Sequence, residues 1–272
     1  YAFHHGLHGA EITLPFPSVG ATENILLAAV TAQGRTVLRG AAREPEIVDL
    51  CTFLRRCGAE IVGDGSPTIY IEGVRALTGC SFSVMPDRIE TASYLSFAAA
   101  AGGRIEMTDC APETLGSVLT VLERMGCTLS VGRKTIRLTR ETPLLAPGTI
   151  STAPFPGFPT DAQPMISALC CLAEGESVIR EEVFENRFSH LPQLQKMGAK
   201  VSMGGTAAHI TGAPLTGNTL YAHDLRGGAA LITAALAAAG ESRIYGLSHI
   251  DRGYERLEEK LCSLGAELKR IG

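Results

Sequence analysis

Four stretches of this chain set small, polar or charged residues where a helix must begin. They are Pro17-Ser18-Val19-Gly20-Ala21-Thr22-Glu23-Asn24, Pro86-Asp87-Arg88-Ile89-Glu90-Thr91, Phe158-Pro159-Thr160-Asp161-Ala162-Gln163 and Asp224-Leu225-Arg226-Gly227-Gly228. A helix start offers backbone N–H groups with no intrahelical acceptor and the positive end of the helix dipole, a combination that favours an anion. One such start is ordinary, because Ser, Thr and Asp are common caps. Four of them, two carrying arginine (Arg88 and Arg226), read as an anionic-substrate site between domains. Asp161 adds a carboxylate that can accept a proton, although an Asp at a helix start is by residue type first a cap. Arg226 and Arg252 each follow an acid (Asp224, Asp251). The competing reading for both is a surface ion pair of little energetic weight.

Other chemistries find less support. The eight cysteines (Cys51, Cys57, Cys80, Cys110, Cys127, Cys170, Cys171, Cys262) form no CxxC pair and fall mostly in apolar periodic segments. They read as buried free thiols in a reducing compartment rather than disulfides or a zinc site. His4, His5 and His8 resemble a metal cluster in spacing but read as strand-end histidines, so no metal is assigned. A net charge of −4 argues against a nucleic-acid surface. There is neither a signal peptide nor an apolar run long enough to span a membrane.

These residues must be positioned by a repeat. Glycines recur at 34, 103, 175 and 240, and again at 58, 126, 198 and 265, at steps of 65 to 72 residues. Each copy reads as a buried apolar helix, a glycine, a short strand, an amphipathic helix, then Gly-Ala or Gly-Cys and a closing strand. The amphipathic stripes are Leu50/Phe53/Leu54/Cys57, Leu115/Val118/Leu119/Leu122, Leu191/Leu194/Met197 and Tyr254/Leu257/Leu261/Leu264. The closing strands are Glu60-Ile61-Val62, Thr128-Leu129-Ser130-Val131, Lys200-Val201-Ser202-Met203 and Glu267-Leu268-Lys269. Segments such as 25–30 and 230–236 have no polar face, which marks helices buried all round. The pattern predicts an α/β fold of repeated βαβαβ units with sheets outside and helices within.

The segments PSVGATENILLAA, AAREPEIVD, PDRIET, FPTDAQ, VFENRF, DLRGGAAL and HIDRGYERLEEKL resemble the UDP-N-acetylglucosamine 1-carboxyvinyltransferase family, over essentially all 272 residues. ENRF and HIDRGYER separate it from the related 5-enolpyruvylshikimate-3-phosphate synthase, which stays as the alternative together with a non-catalytic paralogue that binds a UDP-sugar or a partner. The resemblance implies an inside-out α/β barrel fold of six units in two domains, with the active site in the cleft. Four of the six would be present: residues 1–85 as the last unit of the first domain, and 86–272 as the second domain of three units. The chain opens at Tyr1 rather than Met and is read as part of a longer protein whose N-terminal part is its missing partner. The family also sends its first strand back to the second domain, which would then lack an edge.

What the resemblance implies for chemistry is transfer of enolpyruvyl from phosphoenolpyruvate to the 3-hydroxyl of UDP-N-acetylglucosamine. That is an early step of peptidoglycan and cell-wall synthesis supporting cell shape and division, in the cytoplasm, with no cofactor. Asp161 would be the base. Ser18, Val19 and Gly20 would contact the diphosphate, with Phe16 where some relatives have lysine. The competing reading there is a Ser cap and a glycine needed for packing. Arg226 and Arg252 would hold phosphoenolpyruvate, Val183 would meet the sugar nucleotide through its backbone, and Arg187 would shape the cleft with Phe184, Glu185 and Asn186. Glu44 and Glu46 would orient the site or cap a helix. The family's general acid, a Cys or Asp on a mobile loop, matches no residue present, Cys110 included, so the chain by itself is expected to be inactive.

Overall fold

The computed structural model describes residues 6–271. Two compact units are present, one running through Pro86 and including Pro154–Pro156, the other formed by Asp87–Ala153 and the chain from Gly157 onward. His4 and His5 lie outside the described residues. His8 is exposed and bridges Gln33 ahead of the first strand. Among the described residues no group of three or more His, Cys, Asp or Glu could hold a metal ion. No helix is long and apolar enough to cross a membrane.

In the first unit the chain runs β1 (Glu11–Thr13), α1 (Val19–Ala29), β2 (Arg35–Arg39), α2 (Pro45–Arg56), β3 (Glu60–Val62) and β4 (Thr68–Glu72). β1 pairs parallel with β2, Glu11 opposite Val37, and β4 inserts antiparallel between β2 and β3. Alternating β-branched residues put Ile61, Ile69 and Ile71 inward against Leu26, Ile47, Cys51 and Leu54 of the helices. Pro45 at the first position of α2 suits a helix start, since the N–H it lacks has no partner there.

The second unit continues with α3 (Arg88–Ala101), β5 (Gly103–Thr108), α4 (Gly116–Arg124), β6 (Thr128–Val131) and β7 (Thr135–Arg140). Next come β8 (Thr149–Ser151), α5 (Gln163–Leu172), β9 (Glu176–Arg180), α6 (Leu191–Lys196), β10 (Lys200–Gly204) and β11 (Ala207–Thr211). Last are β12 (Thr219–Tyr221), α7 (Leu225–Ala235), β13 (Arg243–Tyr245), α8 (Leu247–Asp251) and α9 (Leu257–Ser263). The sheet order β8-β9-β11-β10 repeats β1-β2-β4-β3, β5-β7-β6 repeats it without the first strand, and β12-β13 repeats its first pair. All the sheets are short and separate, and none closes into a barrel. Within this unit α3, α5 and α7 pack on one another and are buried along nearly their whole length, while the strands turn alternate side chains to solvent. Helices inside and sheets outside is the layering that the apolar helices predict.

All eight period-marking glycines adopt positive φ, from 85° at Gly240 to 107° at Gly175, so the period records where the backbone must enter left-handed space. Two expectations are corrected. α1 buries only Thr22, Leu26 and Ala29 and leaves Leu27 54% exposed. In the second unit three apolar helices cover one another, whereas the first unit has no second helix of that kind. Residues 267–269 form no strand, since a strand needs a ladder partner and they pair with none among the described residues. Leu264, the last residue of its stripe, is correspondingly exposed.

Candidate active site

Asp161 sits in the turn between β8 and α5. Thr152 and Phe158 bridge beyond β8, and the Ala162 N–H donates to the Pro159 carbonyl at 3.0 Å. The N-cap position of α5 is Ala162, with no side-chain cap, so Asp161 is not a cap. The other three starts are capped as their residue types predict: Ser18 accepts from Ala21 N–H, Asp87 from Ile89 and Glu90, and Asp224 from Gly227. The Asp161 carboxylate is instead divided between two arginines. Arg187 donates to Oδ1 through Nη2, and Arg226 donates to Oδ2 through Nε at 3.1 Å and Nη2 at 2.9 Å. Their side chains are 10% and 14% exposed against 39% for the carboxylate, so two poorly hydrated guanidiniums share one more exposed acceptor. Guanidiniums so placed are suited to take a phosphate or carboxylate in its stead.

Each arginine is locally built. The Glu181 carboxylate Oε1 accepts from Val183 N–H (3.0 Å), Phe184 N–H (2.9 Å) and the Thr152 hydroxyl (2.8 Å), folding the chain after β9 back on itself. Asn186 then takes φ 58°, a left-handed conformation that Asn tolerates. Arg187 emerges with its guanidinium 4.6 Å over the Phe184 ring and its Nε on the Thr160 carbonyl at 3.2 Å. The Val183 N–H is thereby engaged within the turn by Glu181.

Arg226 lies in the first turn of α7. Asp224 caps that helix and also accepts the Ser189 hydroxyl at 2.7 Å, which ties the Arg187 segment to the Arg226 helix. Burial pushes the Asp224 carboxyl upward, but the Gly227 N–H, Ser189 and the nearby Arg187 charge outweigh it and hold it below the usual range. Burial also opposes the charge of Arg226, and Asp161 more than offsets it, so the guanidinium is held above the ordinary arginine value. Arg226 Nη1 reaches the Tyr254 hydroxyl at 3.4 Å, and that hydroxyl is 2.7 Å from Ser93 Oγ. Beside this assembly His190 is 2% exposed, with neither ring nitrogen partnered. Burial, against the pull of Asp224, lowers its pKa to about 4.

Arg252, the residue after α8, is presented by two close approaches. A Cβ on Gly228 would lie 2.5 Å from Ile250 Cγ1, and one on Gly253 2.5 Å from Leu225 Cδ2. The glycines of DLRGG and DRGY therefore let α8 seat on α7. Asp251 does not neutralise Arg252, since both its oxygens accept from Arg270, at 2.8 and 3.0 Å. The Arg252 side chain is exposed and has no hydrogen bond or ion pair among the described residues. Both ion-pair readings thus fail, as Asp224 serves a cap and Ser189 while Arg226 serves Asp161.

Ser18, Val19 and Gly20 lie in the first unit at the start of α1, the first two half-buried and Gly20 exposed. A Cβ on Gly20 would meet nothing within 4 Å, so close packing does not explain that glycine. Phe16 is 40% exposed. Glu44 is buried but makes no cap, its carboxylate accepting instead from Arg43 N–H (2.9 Å) and Phe155 N–H (3.2 Å). Arg88 is buried in the first turn of α3. Cys110 is buried, and burial raises its thiol pKa, which suits a structural thiol. Sequence reasoning passed over Ser189, Tyr254 and Glu181. Tyr254 was counted as one member of an apolar stripe, yet a buried tyrosine hydroxyl needs a partner. Ser189 and Glu181 gave no signal that their types and spacing could carry.

The repeated sheet order with its central helices, and a carboxylate shared by two arginines, one in the turn after β9 and one at the start of α7, define a class. The chain belongs to the EPSP synthase (3-phosphoshikimate 1-carboxyvinyltransferase) family, whose model matches residues 3–261. It is 46% identical over 267 residues to UDP-N-acetylglucosamine 1-carboxyvinyltransferase of Nitratidesulfovibrio vulgaris, and 47% identical over 268 residues to that of Novosphingobium aromaticivorans. These matches take in 97% and 98% of this chain but 64% and 62% of the relatives, so the chain spans less than two thirds of their length. Among solved structures, the enolpyruvyl transferase NikO from Streptomyces tendae superposes with a TM-score of 0.89 at 29% identity, over 98% of this chain and 66% of that one. EPSP synthase from Acinetobacter baumannii, at TM-score 0.73 and 21% identity over 97% and 64%, shares the fold.

Proposed function

We propose that this chain is part of a UDP-N-acetylglucosamine 1-carboxyvinyltransferase, moving enolpyruvyl from phosphoenolpyruvate to the sugar 3-hydroxyl with release of phosphate. The observation that carries the reading is the Arg187–Asp161–Arg226 bridge, found in a chain 46% identical to relatives of that name. Without ligand both Asp161 oxygens are occupied. An incoming phosphate or carboxylate is a stronger partner for a guanidinium than a half-exposed Asp, so phosphoenolpyruvate on Arg226 would free Oδ2 as the base for the sugar hydroxyl. Binding of one substrate thereby arms the base for the other. Arg252, uncommitted beside α7, would close on the same anion, and positive charge would stabilise the tetrahedral phosphate-bearing intermediate. Arg187 would keep Asp161 ionised and oriented. The Val183 carbonyl would accept from the sugar nucleotide, and the N–H groups at Ser18, Val19 and Gly20 would meet its diphosphate.

In this reading the chain supplies four of six repeat units of an inside-out α/β barrel pair. Residues 1–85 close the first domain and 86–272 make the second. The missing edge beside β5 supports it, since the sibling sheet has a first strand there. The whole enzyme would act in the cytoplasm, in peptidoglycan synthesis. The 272-residue chain without the preceding part would be inactive, because no general acid is present. The test is phosphate release from phosphoenolpyruvate, with UDP-N-acetylglucosamine or shikimate 3-phosphate as acceptor. The chain alone is compared with the longer product of its gene. Turnover of the UDP-sugar by the longer form only is expected; turnover of shikimate 3-phosphate would instead favour the sister enzyme.

A further inference from the structure

The coil after β4 lies along the outer side of α2 and touches it at successive helical turns. Thr78 N–H donates to the Cys57 carbonyl at 2.8 Å, Arg56 Nη1 to the Ser81 carbonyl at 3.4 Å, and Met85 N–H to Asp49 Oδ2 at 3.2 Å. Phe82 packs edge-on against Phe53, with ring centroids 5.6 Å apart, and Arg56 lies over the same ring. This strap has no sheet or helix hydrogen bonds of its own, yet it holds a thiol at a fixed place: Cys80 Sγ is 3.5 Å from Cys57 Sγ. Cys57 closes α2 and is 6% exposed, whereas Cys80 is exposed. The other exposed cysteine, Cys262, makes its contact with the Leu268 carbonyl.

We propose that Cys57 and Cys80 form a reversible disulfide site, oxidised by a low-molecular-weight disulfide such as oxidised glutathione, which fastens the strap to α2. The sulfurs need to approach by about 1.5 Å to reach bonding distance. The coil side can supply this, since residues 79–81 carry no ladder bonds. The exposed Cys80 thiolate attacks one sulfur of the small disulfide and expels the first small thiolate. Cys57, on losing its proton, then attacks Cys80 Sγ, forms the protein S–S bond and expels the second. Two protein thiols are oxidised to one cystine, one small disulfide is reduced to two thiols, and the two protein protons pass to the leaving thiolates. The order follows from access. Burial and the neighbouring sulfur raise the Cys57 thiol pKa, so the buried partner resolves rather than initiates.

The test uses the 272-residue chain, reduced, desalted and titrated with oxidised glutathione. Native maleimide labelling should mark Cys80 and Cys262 before oxidation and Cys262 alone afterwards. The intact mass should fall by about 2 Da, and a tryptic map should contain a linked Cys57–Cys80 peptide that a dithiol reductant removes. In Cys57→Ala, which only shortens a small side chain, the reaction should stop at glutathione on Cys80. A stable glutathione adduct on Cys80 of the parent chain would overturn the proposal. So would Cys80 linked to Cys262 or to a second copy, or equal adduct formation in the parent and Cys57→Ala.

Discussion

Replacing His190 by leucine should remove most of the dependence of stability on pH between 7 and 5. The ring is buried and held to a pKa of about 4, while an unfolded chain binds its proton near the ordinary histidine value of 6.5. The folded-state value is depressed for a base, so between these two values the unfolded state binds more protons and stability falls as the pH falls. One group with these constants destabilises the fold by about 2 kcal/mol on going from pH 7 to pH 5. Carboxylates with lowered values, such as Asp224 and Asp64, lose their contribution only below about pH 4.5, outside this window. With a urea slope of about 3 kcal/mol per M, the parent midpoint should drop by about 0.6 M. The measurement is urea unfolding by circular dichroism at half-unit pH steps, for the parent and His190→Leu. Leucine fills the buried site without a titratable group, so the variant should be nearly flat from pH 7 down to pH 5. A variant that keeps the parent slope would refute the reasoning, because the protons would then be binding elsewhere.

Three further outcomes are expected. Asp161→Ala should bind inorganic phosphate or phosphoenolpyruvate more tightly than the parent by about fivefold, measured by calorimetry, because the two arginines lose the carboxylate that competes with the ligand; weaker binding would contradict the bridge. Asp224→Ala removes a helix cap and should cost about 1–2 kcal/mol in thermal or urea unfolding, with Ser189→Ala costing about 1 kcal/mol. The thiols of Cys170 and Cys171 are pushed up to about 12 by burial, so the stability they carry is complete below pH 9 and lost as the pH rises above it. Together they should remove about 3 kcal/mol at pH 10, visible as a steep fall in midpoint between pH 9 and 10.

The architecture was legible because its signals are local. Apolar helices 88–101, 163–172 and 225–235 have nowhere to go but inward, and glycines such as Gly58 and Gly198 mark turns that only positive φ permits. What failed depended on a neighbour. α1 has the composition of a buried helix, but no second apolar helix covers it in its own unit, and residues 267–269 have the alternation of a strand without a partner. At the site, residue types at helix starts pointed to Asp161 and Arg226, and the family resemblance added Arg187 and Arg252, but neither gave their pairing. Sequence proximity suggested Asp224 with Arg226 and Asp251 with Arg252, whereas the fold joins Asp161 to Arg226 across 65 residues and Asp251 to Arg270 across 19. Ser189 and Glu181 act through single hydrogen bonds to distant or turned-back backbone, which no periodicity encodes.

In the proposed reaction Asp161 is the proton acceptor, released from its arginines by the phosphate-bearing substrate. The direct measurement is steady-state phosphate release by the longer gene product, as parent and as Asp161→Asn, with UDP-N-acetylglucosamine and phosphoenolpyruvate. Asparagine keeps the shape and cannot take the proton, so kcat should fall by about 10²–10⁴ while KM for phosphoenolpyruvate stays the same or decreases. Turnover of Asp161→Asn within a few fold of the parent would contradict the account.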